Sequence, residues 1–295
     1  MIALPSSEEG TDLADWLEAS CLFIDGSLSY SQIGLALQAE ELAETIIEDI
    51  TSEINRRGQL AKSYPLATQG TRFFVKRKWD RSVAYSFQLL LTFLWESGLS
   101  SNSKLWPRLS KQFERLSELA VQEYLHGLSL NIGSPRIAPI PRGFADCVDH
   151  ISKTAREHPV RLEHLAYSVP RTKDRGADVV AWIPFEDSTP GQVVLLVNCA
   201  GGKNWKKKLH ELDLKYWHKI VDWHVSPLQG FSIPFVFQRD EKTWRGLSTD
   251  VGIVFDRMRI SALFESSKQT QGKAQLASEL DKSCRNLIRM LPLWD

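Results

Sequence analysis

The sequence predicts an α/β (α+β) protein: a helical N-terminal part over residues 1–100, then a domain over 101–295 built around a β-hairpin. Two observations carry this. Apolar residues recur at helical spacing through much of the first hundred residues and again over 104–125. Two apolar, β-branched runs, ADVVAWIPF at 177–185 and QVVLLVNC at 192–199, flank the turn sequence EDSTPG, which predicts two antiparallel strands.

The elements follow in order. Residues 30–55 place Leu42, Ile46, Ile50 and Ile54 at four-residue steps, one apolar stripe of a helix. Its many acids predict a solvated face, and Arg56 and Arg57 fall at its C-terminal end, where cations complement the helix dipole. Residues 71–79, TRFFVKRKW, read as a basic, aromatic strand or loop. Tyr85–Trp95 is about half a membrane span and reads as a buried helix. Over 104–125, Pro107 suits a first turn, and Leu109, Phe113, Leu116, Ala120 and Tyr124 form the expected buried stripe. SPRIAPIPRG at 134–143 has three prolines and must be irregular. A helix is expected over 144–157, and a short helix or strand over 161–167. After the hairpin, Asn204 is placed to cap a helix running to about residue 221. Strands near 231–238 and 251–255 and a last helix near 274–290 complete the chain.

Composition narrows the function classes. The 36 basic and 36 acidic side chains balance, so the chain as a whole is no polycationic coat protein, although a local basic patch fits. Cys21, Cys147, Cys199 and Cys284 are scattered without a CxxC, which argues against zinc sites and disulfides and for buried thiols in a cytoplasmic protein. The first ten residues are acidic and polar, so no signal peptide is expected, nor is a membrane span. His210, His218 and His224 lack ligand spacing and read as structural or solvent-facing; Asp256 and Arg257 read as a local pair or helix cap.

The hairpin carries the candidate chemistry. Centred near Ser188–Thr189, it brings Asp178 across from residues 198–200. The two-residue strand period puts Asn198 and Ala200 on one face and Cys199 on the other, so Asp178 and Asn198 converge. Phosphodiester cleavage asks for such a convergence: oxygen ligands for a divalent ion and a group that orients water.

The runs KDRGAD at 173–178, VVAW at 179–182 and LLVNCA at 195–200 resemble the PD-(D/E)XK nuclease superfamily over roughly residues 104–260. The resemblance implies a restriction-endonuclease-like αβββαβ core. In it, Asp178 holds metal at the start of one strand, its partner strand supplies a second ligand and a lysine, and the first helix supplies Glu114 from Phe113-Glu114-Arg115-Leu116. Two positions depart from the pattern: Asn198 stands where Glu or Gln is expected, and Ala200 stands in the lysine's place. The lysine expected to reach back is therefore Lys208, or failing that Lys203. The resemblance implies Mg²⁺ (or Mn²⁺) held by Glu114, Asp178 and Asn198, with Lys206 and Lys207, and Lys76, Arg77 and Lys78, on the phosphate backbone of DNA. It further implies a bacterial antiphage defence or restriction endonuclease acting with a partner protein, with homodimerisation open. The two departures equally suit a catalytically impaired nuclease-fold subunit that only binds DNA or a partner. An unrelated α+β interaction protein is the third class.

Overall fold

The computed structural model describes residues 2, 10–37, 43–96, 105–160, 174–202, 204–238 and 240–291. The mixed α/β architecture is as expected, in two compact units. One comprises Met1–Trp106, Arg257–Glu265 and Gln269–Asp295; the other comprises Pro107–Asp256 and Ser266–Lys268. The units differ from the expected division at 100/101 mainly at the C-terminal end, where the last two helices belong to the N-terminal unit. Among the described residues no helix is long and apolar enough to cross a membrane.

The N-terminal unit is not purely helical. Helices α1 (Gly10–Ser20), α2 (Tyr30–Leu37), α3 (Ala43–Leu60) and α4 (Val83–Glu96) accompany strands β1 (Ser27–Ser29), β2 (Leu66–Gln69) and β3 (Arg72–Val75). The strands form an antiparallel sheet in the order β1-β3-β2. TRFFVKRKW contributes β3 because Phe73 is buried between exposed Arg72 and half-buried Phe74, the alternation of a strand. The helix expected over 30–55 is two helices; Leu42 lies outside the described residues, and Ile47, Ile50 and Ile54 form the buried stripe while Ile46 is half-buried.

Arg57 lies in the last turn of α3, as expected, but not in solvent. It is fully buried and donates to Asp15 Oδ1 (2.5 Å), Glu18 Oε1 (2.7 Å) and Glu53 Oε1 (2.7 Å). Arg257 opens α9 (Arg257–Ser266) and forks onto both Asp15 oxygens at 2.8 and 2.7 Å, a partner 242 residues away rather than the local one expected. Tyr64 and Tyr85 hydroxyls each donate to Glu18 at 2.5 Å. Four buried ions thus compensate one another, while burial opposes the charges of Asp15, Arg57 and Arg257. α10 (Gln271–Ile288) packs along α4.

In the second unit α5 (Trp106–Leu125) leads through Gly127 into β4 (Leu128–Asn131). Gln112, Ser117 and Val121 join Leu109, Phe113, Leu116 and Ala120 in its buried stripe; Tyr124 is 48% exposed, edge-on to Phe255. Then come α6 (Phe144–Thr154), β5 (His158–Pro159), β6 (Val179–Ile183), β7 (Val193–Cys199), α7 (Leu214–Ile220), β8 (Val221–Asp222), β9 (Leu228–Ser232), α8 (Glu241–Val251) and β10 (Ile253–Phe255). The segment expected over 161–167 lies outside the described residues.

The main sheet runs β10-β9-β7-β6-β4. β4, β6 and β7 form an antiparallel meander, and β9 and β10 add parallel to β7. The hairpin pairs Ile183 with Val193 through Val179 with Val197. Val180, Trp182, Val194 and Leu196 face a core completed by Phe144, Val148 and Ile151 of α6 and Trp217 and Ile220 of α7. α5 covers the opposite face, where its Ser117 hydroxyl meets Ser232 of β9 at 2.7 Å.

Replacing Asp15 with Ala leaves Arg57 and Arg257 short of buried counter-charge and is expected to destabilise the protein by about 3–5 kcal/mol. Urea denaturation measures this; a loss below about 1 kcal/mol would contradict the role given to the network.

Candidate active site

Asp178 and Glu114 come together at one end of the sheet. The Asp178 N–H donates to Val197 O (2.9 Å), and its carbonyl accepts from Ile132 N (2.7 Å) and Gly133 N (3.0 Å). Its carboxylate Oδ2 accepts the Cys199 N–H at 2.7 Å. Strand pairing and side-chain bonding together hold Asp178 across from the Asn198–Cys199 step. Glu114 stands beside Phe113 at the edge of α5's buried stripe, with its side chain 14% exposed.

Gly133 is where the two carboxylates meet. A Cβ built on Gly133 would lie 2.5 Å from Glu114 Oε2 and 2.8 Å from Asp178 Oδ1. Both oxygens therefore front the same bare backbone, no farther apart than those two distances laid end to end. Any side chain at 133 would displace one of them, so glycine here is a requirement of space.

Lys111, which the sequence reading did not select, completes the cluster. Its ammonium donates to Glu114 Oε2 (2.8 Å), Asn131 Oδ1 (2.6 Å) and Gly133 O (2.7 Å), and its side chain is 13% exposed. The signal available in the sequence was Lys111 three residues before Glu114 on one helix, a spacing that puts the two side chains side by side.

Burial pushes the Asp178 carboxyl well above the usual carboxylate range, and the Glu114 and Asp174 charges add to this; the Cys199 amide and the Lys208 charge oppose it. Glu114 is raised for the same first reason and restrained by Lys111. Burial, then Asp178 and Glu114, keep the Cys199 thiol protonated, which argues against it as a nucleophile. Asp174 is half-buried, with Oδ1 accepting the Gly176 N–H at 3.2 Å.

The other expected site residues fare differently. Asn198 lies opposite Asp178 but is 1% exposed, and neither Oδ1 nor Nδ2 has a hydrogen-bond partner. It makes no bond to Asp178 or Glu114. Ala200 is wholly buried against Phe231, Ile233, Leu247, Val251 and Val254. Lys203 lies outside the described residues. Lys208 ends a 3₁₀ turn, Trp205–Lys208, and pairs with Glu211 at 3.6 Å; its charge reaches both site carboxylates without touching them.

The helix expected from Asn204 to about residue 221 is broken. Asn204 makes no side-chain cap, and α7 begins only at Leu214, where Asp213 accepts the Tyr216 N–H at 3.0 Å. The 211–212 backbone lies against Gly176, whose added Cβ would come within 2.3 Å of Glu211 C, while Arg175 stacks 3.9 Å from the Tyr216 ring. The turn before Asp178 thus packs directly on the break between the 3₁₀ turn and α7.

Lys206 lies over the Trp205 ring at 5.7 Å, and Lys207 is exposed. Lys76, Arg77 and Lys78 belong to the N-terminal unit: Lys76 lies 5.9 Å over the Tyr64 ring, Arg77 pairs with Glu265 at 3.2 Å, and Lys78 is exposed. His224 bonds the buried Glu157 at 2.8 Å, His218 meets Ser226 at 3.1 Å, and His210 is exposed. Among the described residues no group of three or more His, Cys, Asp or Glu is placed to hold a metal. No protein-family model, curated protein or solved structure significantly matches this chain.

A carboxyl whose folded-state pKa is raised binds more protons folded than unfolded, so it costs stability as pH rises above its unfolded value. Asp178→Asn removes that cost while keeping an oxygen for the Cys199 amide. In chelator, the variant is expected to be more stable than wild type at pH 8, with the gap closing toward pH 4. Thermal unfolding across that range tests this, and a gap that widens on acidification would refute it.

Proposed function

We propose that the second unit is a metal-dependent phosphodiesterase of the PD-(D/E)XK type that cuts DNA. The observation that carries this is the convergence of Glu114 Oε2 and Asp178 Oδ1 on the bare Cα of Gly133, with an ammonium in contact. The order of elements supports it: α5, the β4-β6-β7 meander, α7, then β9 parallel to β7, which suits the αβββαβ unit that the resemblance implies.

The donor set fits a divalent ion of the Mg²⁺ or Mn²⁺ kind. Such ions keep several waters and need only one or two carboxylates. Two half-buried carboxyls that burial and neighbouring acids drive toward protonation would both ionise beside a cation. Bound there, the ion would supply Lewis acidity and a more acidic water. Asp178 fixes one ligand oxygen rigidly, because its other oxygen is held by the Cys199 amide. Glu114 brings the second from α5. Among the described residues the amine bonded to Glu114 is that of Lys111, whereas Lys208 pairs with Glu211. Lys206 and Lys207, exposed on the turn after β7, are the side chains we assign to the phosphates. The setting proposed with this chemistry is cytoplasmic antiphage defence or restriction with a partner protein.

A second reading, a nuclease-fold subunit that binds DNA or a partner without cutting, is favoured by Ala200 and by the unpartnered Asn198. Plasmid cleavage decides between them. Cutting that requires Mg²⁺ or Mn²⁺ and falls at least about a hundredfold in both Asp178→Ala and Glu114→Ala is expected. DNA retained without metal-dependent cutting would establish the second reading instead.

A further inference from the structure

We propose that Lys111 is an exchangeable internal cation: its ammonium neutralises Glu114 in the metal-free protein, yields Glu114 Oε2 to an incoming divalent ion, and stays tethered beside that ion. The inference rests on the metal-dependent reading above.

A lysine ammonium has three donors, and Lys111 spends all three inside the site. Two go to neutral acceptors, Asn131 Oδ1 at 2.6 Å and Gly133 O at 2.7 Å, and one to a charged acceptor, Glu114 Oε2 at 2.8 Å. The charged acceptor is the same oxygen that fronts Gly133 together with Asp178 Oδ1. The ammonium and a metal ion would therefore compete for one oxygen. They are not equally dispensable to Lys111: the two neutral bonds come from the end of β4 and the residues after it, outside the carboxylate pair, and survive loss of the third. The Lys111 side chain is 13% exposed and tied to Asn131 and Gly133, whereas that of Lys208 is 38% exposed. The released charge stays in the site, where it weakens metal binding by repulsion and adds a fixed positive charge for phosphate oxygens.

The consequence is opposite for binding and for turnover. In the full-length protein without DNA, Lys111→Met is expected to bind Mn²⁺ about tenfold tighter by calorimetry, the scale on which one close charge shifts an ionic equilibrium. Plasmid cutting by the same variant is expected to fall at least about a hundredfold. Lys111→Gln, which keeps a donor for Asn131 or Gly133 O, is the second neutral variant should Met disturb folding. Lys111→Arg, which keeps the charge, is expected to leave Mn²⁺ affinity near wild type. A merely structural lysine would loosen the site and weaken Mn²⁺ in every variant. Equal or weaker binding in both neutral variants overturns the proposal while leaving the metal-dependent reading intact. Wild-type protein that binds no Mn²⁺ overturns both.

Discussion

Everything in the candidate site hangs on how Asp178 is bonded. Its N–H reaches β7, its carbonyl takes the two amides that follow β4, and its carboxylate takes the Cys199 amide. One residue at the mouth of β6 thus joins three strands. The carbonyl bonds bring Gly133 against the carboxylate, and the absence of a side chain at Gly133 lets Glu114 approach the same point from α5. A carboxylate in a charge-assisted bond to a backbone amide is also held in one orientation. Its free oxygen is therefore aimed by the sheet rather than by rotamer preference.

This arrangement is expensive electrostatically. Two acids are brought together where burial already disfavours their charges, and Asp174 adds a third negative field. A structure selected for stability alone would place an amide or an apolar group at one of these positions. Lys111, itself satisfied on all three donors, offsets the cost at Glu114, and the Cys199 amide and the Lys208 charge offset it at Asp178. The N-terminal unit offers a contrast. Its buried carboxylates, Asp15 and Glu18, meet arginines and tyrosines on nearly every oxygen, and Asp15 is held below the usual range. Both units bury acids, but among the described residues Asp178 and Glu114 are pushed toward the protonated form where Asp15 is held below its usual range.

The parts of this structure legible in the sequence are those set by short-range pattern. The hairpin strands, the turn between them and the placing of Asp178 across from residues 198–200 follow from alternation and turn chemistry, and α5 from its apolar period, but the expected meeting of the Asp178 and Asn198 side chains does not occur, because the carboxylate takes the Cys199 amide instead. Glu114 was reachable because it sits at the edge of that stripe. What was not legible depends on contacts between distant segments. Lys111 matters because Asn131 and Gly133 return to it twenty and more residues later, and no local pattern announces that. Asn204 resembles a helix cap, yet the chain at 211–213 packs on the Arg175–Gly176 turn, and Asp213 caps instead. Arg57 and Arg257 look like surface or local charges until Asp15 is found between them. In each case a residue type suited to several roles was assigned its role by a tertiary partner.

Position 200 shows how one such partner redirects the chemistry. β7 presents Leu196, Asn198 and Ala200 on one face, and that face is apolar at both ends: Leu196 packs with the α6–α7 core, Ala200 with Phe231, Ile233 and α8. A lysine at 200 would have to bury its ammonium among those side chains, so that face of β7 is closed to a cation. Asn198, between the two clusters, is sealed with them, and its amide finds no partner. The opposite direction remains open, because the Asp178 carboxylate turns to the Cys199 amide and α5 brings charged side chains to the strand ends. A positive group serving Asp178 and Glu114 must then come from α5 or from the turn after β7. Among the described residues of these segments, the α5 lysine contacts Glu114, and Lys208 acts at a distance and leans on Glu211. The alanine at 200 and the lysine at 111 are two consequences of one choice about which face of β7 belongs to the core.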